Sequence, residues 1–265
     1  MRRAAFGALL GLSTALVVAF LVLPIMAIFV DAGPGELVSS LGDPVARDAL
    51  WLSLRCAAIA IAIVVVVGTP AAYLLATRSF PGRAVVITLL ELPLVLPPAV
   101  AGLGLLAALG PRGLLGGLVD DLGARLVLET SGVVVALCFV SAPFYLRQAQ
   151  AAFADVPGSW LDASRTLGAG PGRTFARVAI PAARSGLSAG LALAFGRALG
   201  EFGATLMFAG SLQGRTQTAP LAIYDRFATD LTSALALSAV LVAVSAGLLL
   251  AVKAMGPRGA GALRA

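Results

Sequence analysis

The sequence predicts an all-α polytopic membrane protein with about six transmembrane helices and one short helix lying outside the bilayer. Three observations carry that prediction. Of the 265 residues, 59% are hydrophobic and only 12% charged, with a mean hydropathy of +0.98. Soluble domains carry about 45–50% apolar and about 25% charged residues. The apolar residues fall in runs that match the roughly 20 residues a helix needs to cross lipid. Finally, the basic residues concentrate in alternate connecting segments.

The first span is expected over about 4–30, behind Arg2 and Arg3. A signal peptide has the same basic start but an apolar region of only about 7–15 residues, so this run reads as a retained span. Further spans are expected at about 49–76, 84–109, 130–149, 184–208 and 233–252. The whole chain reads as one transmembrane domain, 1–265, with its core over about 49–252. In the third span, ELPLVLPPAVAGLG, Pro93, Pro97 and Pro98 each lack a backbone donor, which predicts a kink or a break. Interrupted helices mark the pathway in many transporters; a packed kink without a transport role is the alternative.

Between the fourth and fifth spans lies a polar interval, with a coupling segment at about 155–181. Pro157 fits a first helical turn, and Gly168, Gly170, Pro171 and Gly172 form a stop signal. A helix of about eleven residues is only ~16 Å long and cannot span. Trp160, Leu161, Ser164 and Leu167 recur at helical spacing, leaving Asp162 and Arg165 elsewhere and predicting a face that needs a partner.

Placing the N-terminus inside puts Arg2, Arg3, Arg78, Arg83, Arg147, Arg165, Arg173, Arg177, Arg184, Lys253, Arg258 and Arg264 on the cytoplasmic side, against Asp155 and Asp162. The outer segments hold Arg47, Arg112, Arg125, Arg215 and Arg226 against nine carboxylates. The excess of basic residues inside predicts that both termini are cytoplasmic. The net charge of +6 therefore reports orientation rather than a nucleic-acid partner.

Absences narrow the chemistry. The sequence has no histidine, which excludes Ser-His and Cys-His nucleophile pairs and His-ligated metal sites within the chain. Lys253 is the single lysine and lies outside any G-x-x-x-x-G-K-[ST] pattern, so the chain has no P-loop. Cys56 and Cys138 lie in apolar runs and read as small buried hydrophobes. No cofactor and no metal are expected.

The stretch DASRTLG at 162–168, followed by Val178-Ala179-Ile180-Pro181, resembles the EAA signature of ABC-importer permeases. Asp162, Ser164, Val178 and Ile180 depart from the pattern conservatively, while Gly168 and Pro181 keep its spacing. The resemblance implies that Trp160, Leu161, Asp162, Ala163, Ser164, Arg165, Leu167, Gly168 and Pro181 belong to a short cytoplasmic coupling helix and its flank, which dock into an ATPase subunit. LPLVLPPAVAGLG, FVSAPFYLRQAQ, GRALGEFGATLMFAG and GRTQTAPLAIYDRF extend the resemblance over about 50–250, to molybdate permeases and more loosely to tungstate and sulfate/thiosulfate permeases. What it implies is a type I ABC importer permease in a prokaryotic cytoplasmic membrane. It also implies a permease homodimer, cytoplasmic ABC ATPase subunits that hydrolyse the ATP, and an extracytoplasmic oxyanion-binding protein.

Ionisable groups at bilayer depth need partners. Arg197 and Glu201, four apart, read either as a neutralising pair that fixes packing or as Arg197 beside an oxyanion path with Glu201 orienting it. Glu91 reads as a snorkelling or packing group, and Arg55 as reaching the headgroups. Gly200, Gly203 and Ala204 predict close approach to a neighbour, a symmetry mate included. Thr205 belongs to the same candidate pathway stretch. Ion-coupled secondary transport fits less well, because intramembrane charges are few and not matched between halves. An intramembrane enzyme is disfavoured by the missing histidine.

Overall fold

The computed structural model describes residues 2–255, and among them every regular element is helical. Arg258 and Arg264 lie outside the described residues. Helix α1 (Arg2–Asp31) leads through a short α2 (Pro34–Gly42) to the longest helix, α3 (Pro44–Thr77). Asp43 caps α3 by accepting the Val45 N–H at 3.0 Å, and its other oxygen pairs with Arg226. Burial alone would raise the Asp43 carboxyl. The Val45 N–H and the Arg226 guanidinium outweigh it and hold the group below its ordinary value.

Helices α4 (Arg83–Val95) and α5 (Pro98–Leu109) meet at an angle of 117°. The break falls where the sequence loses two successive donors, at Pro97 and Pro98. Pro98 starts α5, where its missing N–H has no intrahelical role. The third span, expected at 84–109 with a kink or a break, is thus a sharply bent pair. A small α6 (Gly116–Asp121) precedes α7 (Thr130–Ala154), the axis of the bundle: α3 and α10 (Ile180–Leu199) both pack along it.

Helix α8 (Gly158–Thr166) lies outside the long helices, nine residues rather than about eleven. The next helix starts earlier than expected. Helix α9 (Pro171–Thr174), a π-helical turn (Phe175–Ala179) and α10 run on as one rod from Pro171 to Leu199. Pro181, expected to close the coupling segment, is instead the second residue of α10. A proline there removes a donor and crowds the preceding turn, and the wider π turn directly before it absorbs this. The rod ends at Leu199 rather than near residue 208; α11 (Gly203–Ala209) follows a break at Gly200–Phe202. Helix α12 (Ala219–Phe227) and α13 (Leu231–Met255) complete the chain.

Five helices are long and apolar enough to cross a membrane, and the bent α4–α5 pair makes a sixth. The main core joins α3, α7 and α10 through Cys56, Ala60, Val64, Leu137, Tyr145 and Ala194. Tyr145 is buried and donates to the Thr69 hydroxyl at 2.6 Å, which itself donates to the Val65 carbonyl. That bond satisfies a polar group that lipid could not. Cys56 is fully buried and Cys138 partly buried, both as free thiols. Helix α1 touches the rest of the chain mainly through α13 and leaves an exposed apolar surface.

A tight seam runs between α5 and α11. A Cβ on Gly102 would lie 2.7 Å from the Ala204 carbonyl and 2.7 Å from Met207 Cβ. Gly102→Ala is therefore expected to destabilise the protein by about 1–3 kcal/mol, as overpacking does. Thermal unfolding in detergent measures it, and an unchanged midpoint would show that the seam can open at no cost.

Candidate functional site

The candidate residues fall into two groups, one at each end of the Pro171–Leu199 rod. The first is built on α8. Pro157 precedes the helix, and a Schellman motif ends it: the Gly168 N–H donates to the Arg165 carbonyl at 2.9 Å and the Ala169 N–H to the Ser164 carbonyl at 3.1 Å. Gly168 stands at φ +80°, a conformation that favours glycine, and a side chain there would meet no neighbouring atom.

The expected face splits in two. Leu161 is buried in the main core and Ser164 shares a hydrogen bond of 3.1 Å with the buried Thr174, so these two fasten α8 to the foot of the rod. Trp160 is 55% exposed and Leu167 88% exposed, pointing away from the chain. The spacing placed all four on one side, but the helix is too short to carry Leu167, which is its C-cap. Asp162 and Arg165 pair at 3.0 Å on the exposed surface, with Ala163 exposed between them. Pro181 is exposed on the rod itself. Just above Thr174, Phe175 packs against Tyr73 of α3 (ring centroids 4.8 Å) and Phe153 of α7 (6.1 Å), so the base of the rod is fixed to both neighbours. Sequence spacing gave no sign of this aromatic cluster.

The second group surrounds the break after Leu199. Glu201 is not on α10 with Arg197, as the four-residue spacing suggested, but in the break itself. Its side chain is 1% exposed. One oxygen accepts the Ala204 N–H at 2.6 Å and caps the start of α11; the other lies 2.5 Å from Arg197 Nη2. The expected ion pair forms, and the carboxylate also supplies a backbone partner that the broken helix lacks. Pro98 of α5 sits against this break: a Cβ on Gly203 would meet Pro98 Cβ at 2.9 Å and the Ala99 nitrogen at 3.1 Å. The close approach predicted for Gly203 and Ala204 is thus made to α5 of the same chain. Gly200 is exposed and makes no close approach within the chain. Pro97 is the N-cap of α5, Pro93 lies within α4, and Thr205 is fully buried with a hydroxyl that has no protein partner.

The remaining charges near the spans are peripheral. Glu91 lies 3.9 Å from Arg147, with both side chains well exposed, and Arg55 is exposed on α3. At the end of the bundle opposite α8, the loop over 210–218 is latched by residues that sequence reasoning did not single out. Arg215 makes a two-point contact with Glu129 (2.5 and 3.1 Å), the Thr130 hydroxyl donates to the Arg215 carbonyl, and the Ala219 N–H donates to the buried Ser53 hydroxyl at 2.7 Å. No cluster of three or more metal-ligating side chains exists among the described residues.

Residues 68–258 match the family model described as binding-protein-dependent transport system inner membrane component. The molybdenum transport system permease protein ModB of Mycobacterium tuberculosis is 40% identical over 244 residues, covering 91% of this chain and 92% of that protein. The sulfate transport system permease protein CysW of Synechocystis is 33% identical over 248 residues, covering 92% and 90%. Among solved structures, a bacterial alginate ABC transporter aligns over 96% of this chain and 94% of its own with a TM-score of 0.76 at 15% identity. The MetNI methionine ABC transporter aligns over 79% and 94% with a TM-score of 0.62 at 18% identity.

Removing the acid at the break exposes its double role. Glu201→Ala strips Arg197 of its counter-charge and α11 of its cap, and is expected to cost about 3–5 kcal/mol, the range for breaking a buried pair from one side. Glu201→Gln, which can still accept the Ala204 N–H, is expected to cost clearly less. Equal unfolding midpoints for the two variants would show that the cap contributes nothing.

Proposed function

The chain belongs to the family of inner membrane components of binding-protein-dependent transport systems; from that premise we propose that this ABC importer permease carries molybdate. The observation that carries the choice of cargo is the 40% identity to the molybdenum permease over 91% of the chain. A second reading, sulfate, is supported by relatives named as sulfate permeases at 33% and 34% identity.

In this reading the α8 end faces the cytoplasm. It carries Arg78, Arg83, Arg147, Arg165, Arg173, Arg177 and Arg184, the arrangement that the positive-inside rule requires, which supports a reading with both termini cytoplasmic. Trp160 and Leu167 are the apolar contacts offered to an ATPase subunit, which supplies the energy the chain has no P-loop to provide. A second copy of the chain completes the pathway, and an extracytoplasmic binding protein delivers the anion to the opposite end. Transport proceeds by alternating access: closure of the ATPase subunits displaces α8, and the rod rooted beside it moves the break at Gly200–Phe202 and the α5 seam. The chain performs no covalent chemistry.

Two experiments test this. Deleting the chain is expected to abolish high-affinity uptake of labelled molybdate while leaving sulfate uptake intact; the reverse pattern would assign the cargo to sulfate. Gly168→Asp places a charge on the exposed docking surface and is expected to abolish co-purification of the ATPase while the chain still inserts in the membrane. Gly168→Ala, which carries the same backbone strain without the charge, is expected to retain it. Co-purification undiminished by the aspartate would overturn docking through α8.

A further inference from the structure

We propose that the Arg197 guanidinium is a transit contact for the transported oxyanion, with Glu201 acting as a positioning residue that holds it in place. The inference rests on the oxyanion-importer reading above and names the side chain that meets the cargo.

Arg197 lies within the candidate span Pro171–Leu199, and its side chain is 26% exposed while that of Glu201 is 1% exposed. The two members of the pair are therefore not equivalent. Glu201 is buried and anchored through one oxygen to the Ala204 N–H, with the other facing the Arg197 charge, and cannot follow a moving ion. A guanidinium has five N–H donors in a rigid fork. The contact with Glu201, at 2.5 Å from one Nη, is an ion pair without hydrogen-bond geometry, and Arg197 forms no side-chain hydrogen bond to a protein acceptor among the described residues. A pair that served packing alone would be expected to close its spare donors on carbonyls or carboxylates, because an unsatisfied donor in lipid costs several kcal/mol.

The surface beside the guanidinium is open within the chain. Ala189, Leu193 and Gly196 on α10, continued by Gly200 just past its end, form an exposed stripe with Arg197 along its border. A Cβ on Gly196 would meet nothing within 4 Å, and one on Gly200 only the Gly196 carbonyl, at 3.6 Å. The cargo chemistry this fits is a tetrahedral dianion, two of whose oxygens match the guanidinium fork. The fixed carboxylate serves passage as well as stability. An uncompensated cation in a low-dielectric site would trap a dianion, whereas a neutral pair attracts it only at hydrogen-bond range and releases it.

The test compares uptake of labelled molybdate and of sulfate by cells carrying each variant in place of the wild-type chain, alongside unfolding midpoints of the purified variants. Arg197→Gln strands the buried Glu201 carboxylate and is expected to lower both uptake and stability. Arg197→Gln combined with Glu201→Gln removes both charges and is expected to restore the midpoint. Its uptake is expected to remain down by roughly tenfold or more, the loss of a charge-assisted hydrogen bond to the cargo. Arg197→Lys is expected to keep part of the uptake. Wild-type uptake by the double variant at wild-type stability would overturn the proposal and leave the pair as packing. Unchanged uptake of both anions after deletion of the whole chain would instead overturn the importer reading, so the two failures are distinguishable.

Discussion

Backbone that leaves a helix inside lipid must find its partners in protein, and this fold meets the constraint by setting its two interruptions against each other. The α4–α5 break presents Pro98 and Ala99 to Gly203, and one turn further Gly102 of α5 meets the Ala204 carbonyl and Met207. Neither approach leaves room for a Cβ. Glycine at these two positions is what lets non-helical backbone be covered by backbone instead of by acyl chains. Glu201 supplies the donor partner that the geometry still lacks, at Ala204, and Arg197 neutralises the carboxylate so that it can stay buried. The ion pair, the cap and the glycine seam are thus one structure.

The sequence displayed the chemistry of this arrangement more clearly than its geometry. Composition and run length announced a helical membrane protein, and three prolines in six residues announced a broken third span. Lost donors say where a helix stops but not how far the chain turns, so the 117° bend lay outside their reach. Arg197 and Glu201 looked paired because helical spacing brings residues four apart together. They are paired, though across a helix end that Gly200 could have signalled. The amphipathic reading of α8 failed differently. Periodicity defines a face but does not identify what covers it, and the foot of the rod covers Leu161 and Ser164 while Trp160 and Leu167 stay open. The latch between Arg215 and Glu129 joins residues 86 apart and has no local signature at all.

Mechanical continuity between the two groups follows from the π turn. Had α10 begun at Pro181 as an independent helix, motion of α8 would reach it only through a flexible joint. Instead the rod runs unbroken from Pro171, some 29 residues or ~43 Å at 1.5 Å per residue. Its foot is held by the Ser164–Thr174 hydroxyl pair and by Phe175 between Tyr73 and Phe153; its far end is the Arg197–Glu201 break.

Coupling of two sites requires an element with two discrete arrangements. The glycine seam is suited to that role, because a contact this close cannot deform gradually: it either interdigitates or separates. In the importer reading proposed above, what α8 transmits is therefore not distortion of α10 but a choice between a closed and a parted α5–α11 seam, with the pair at Arg197 and Glu201 carried along intact.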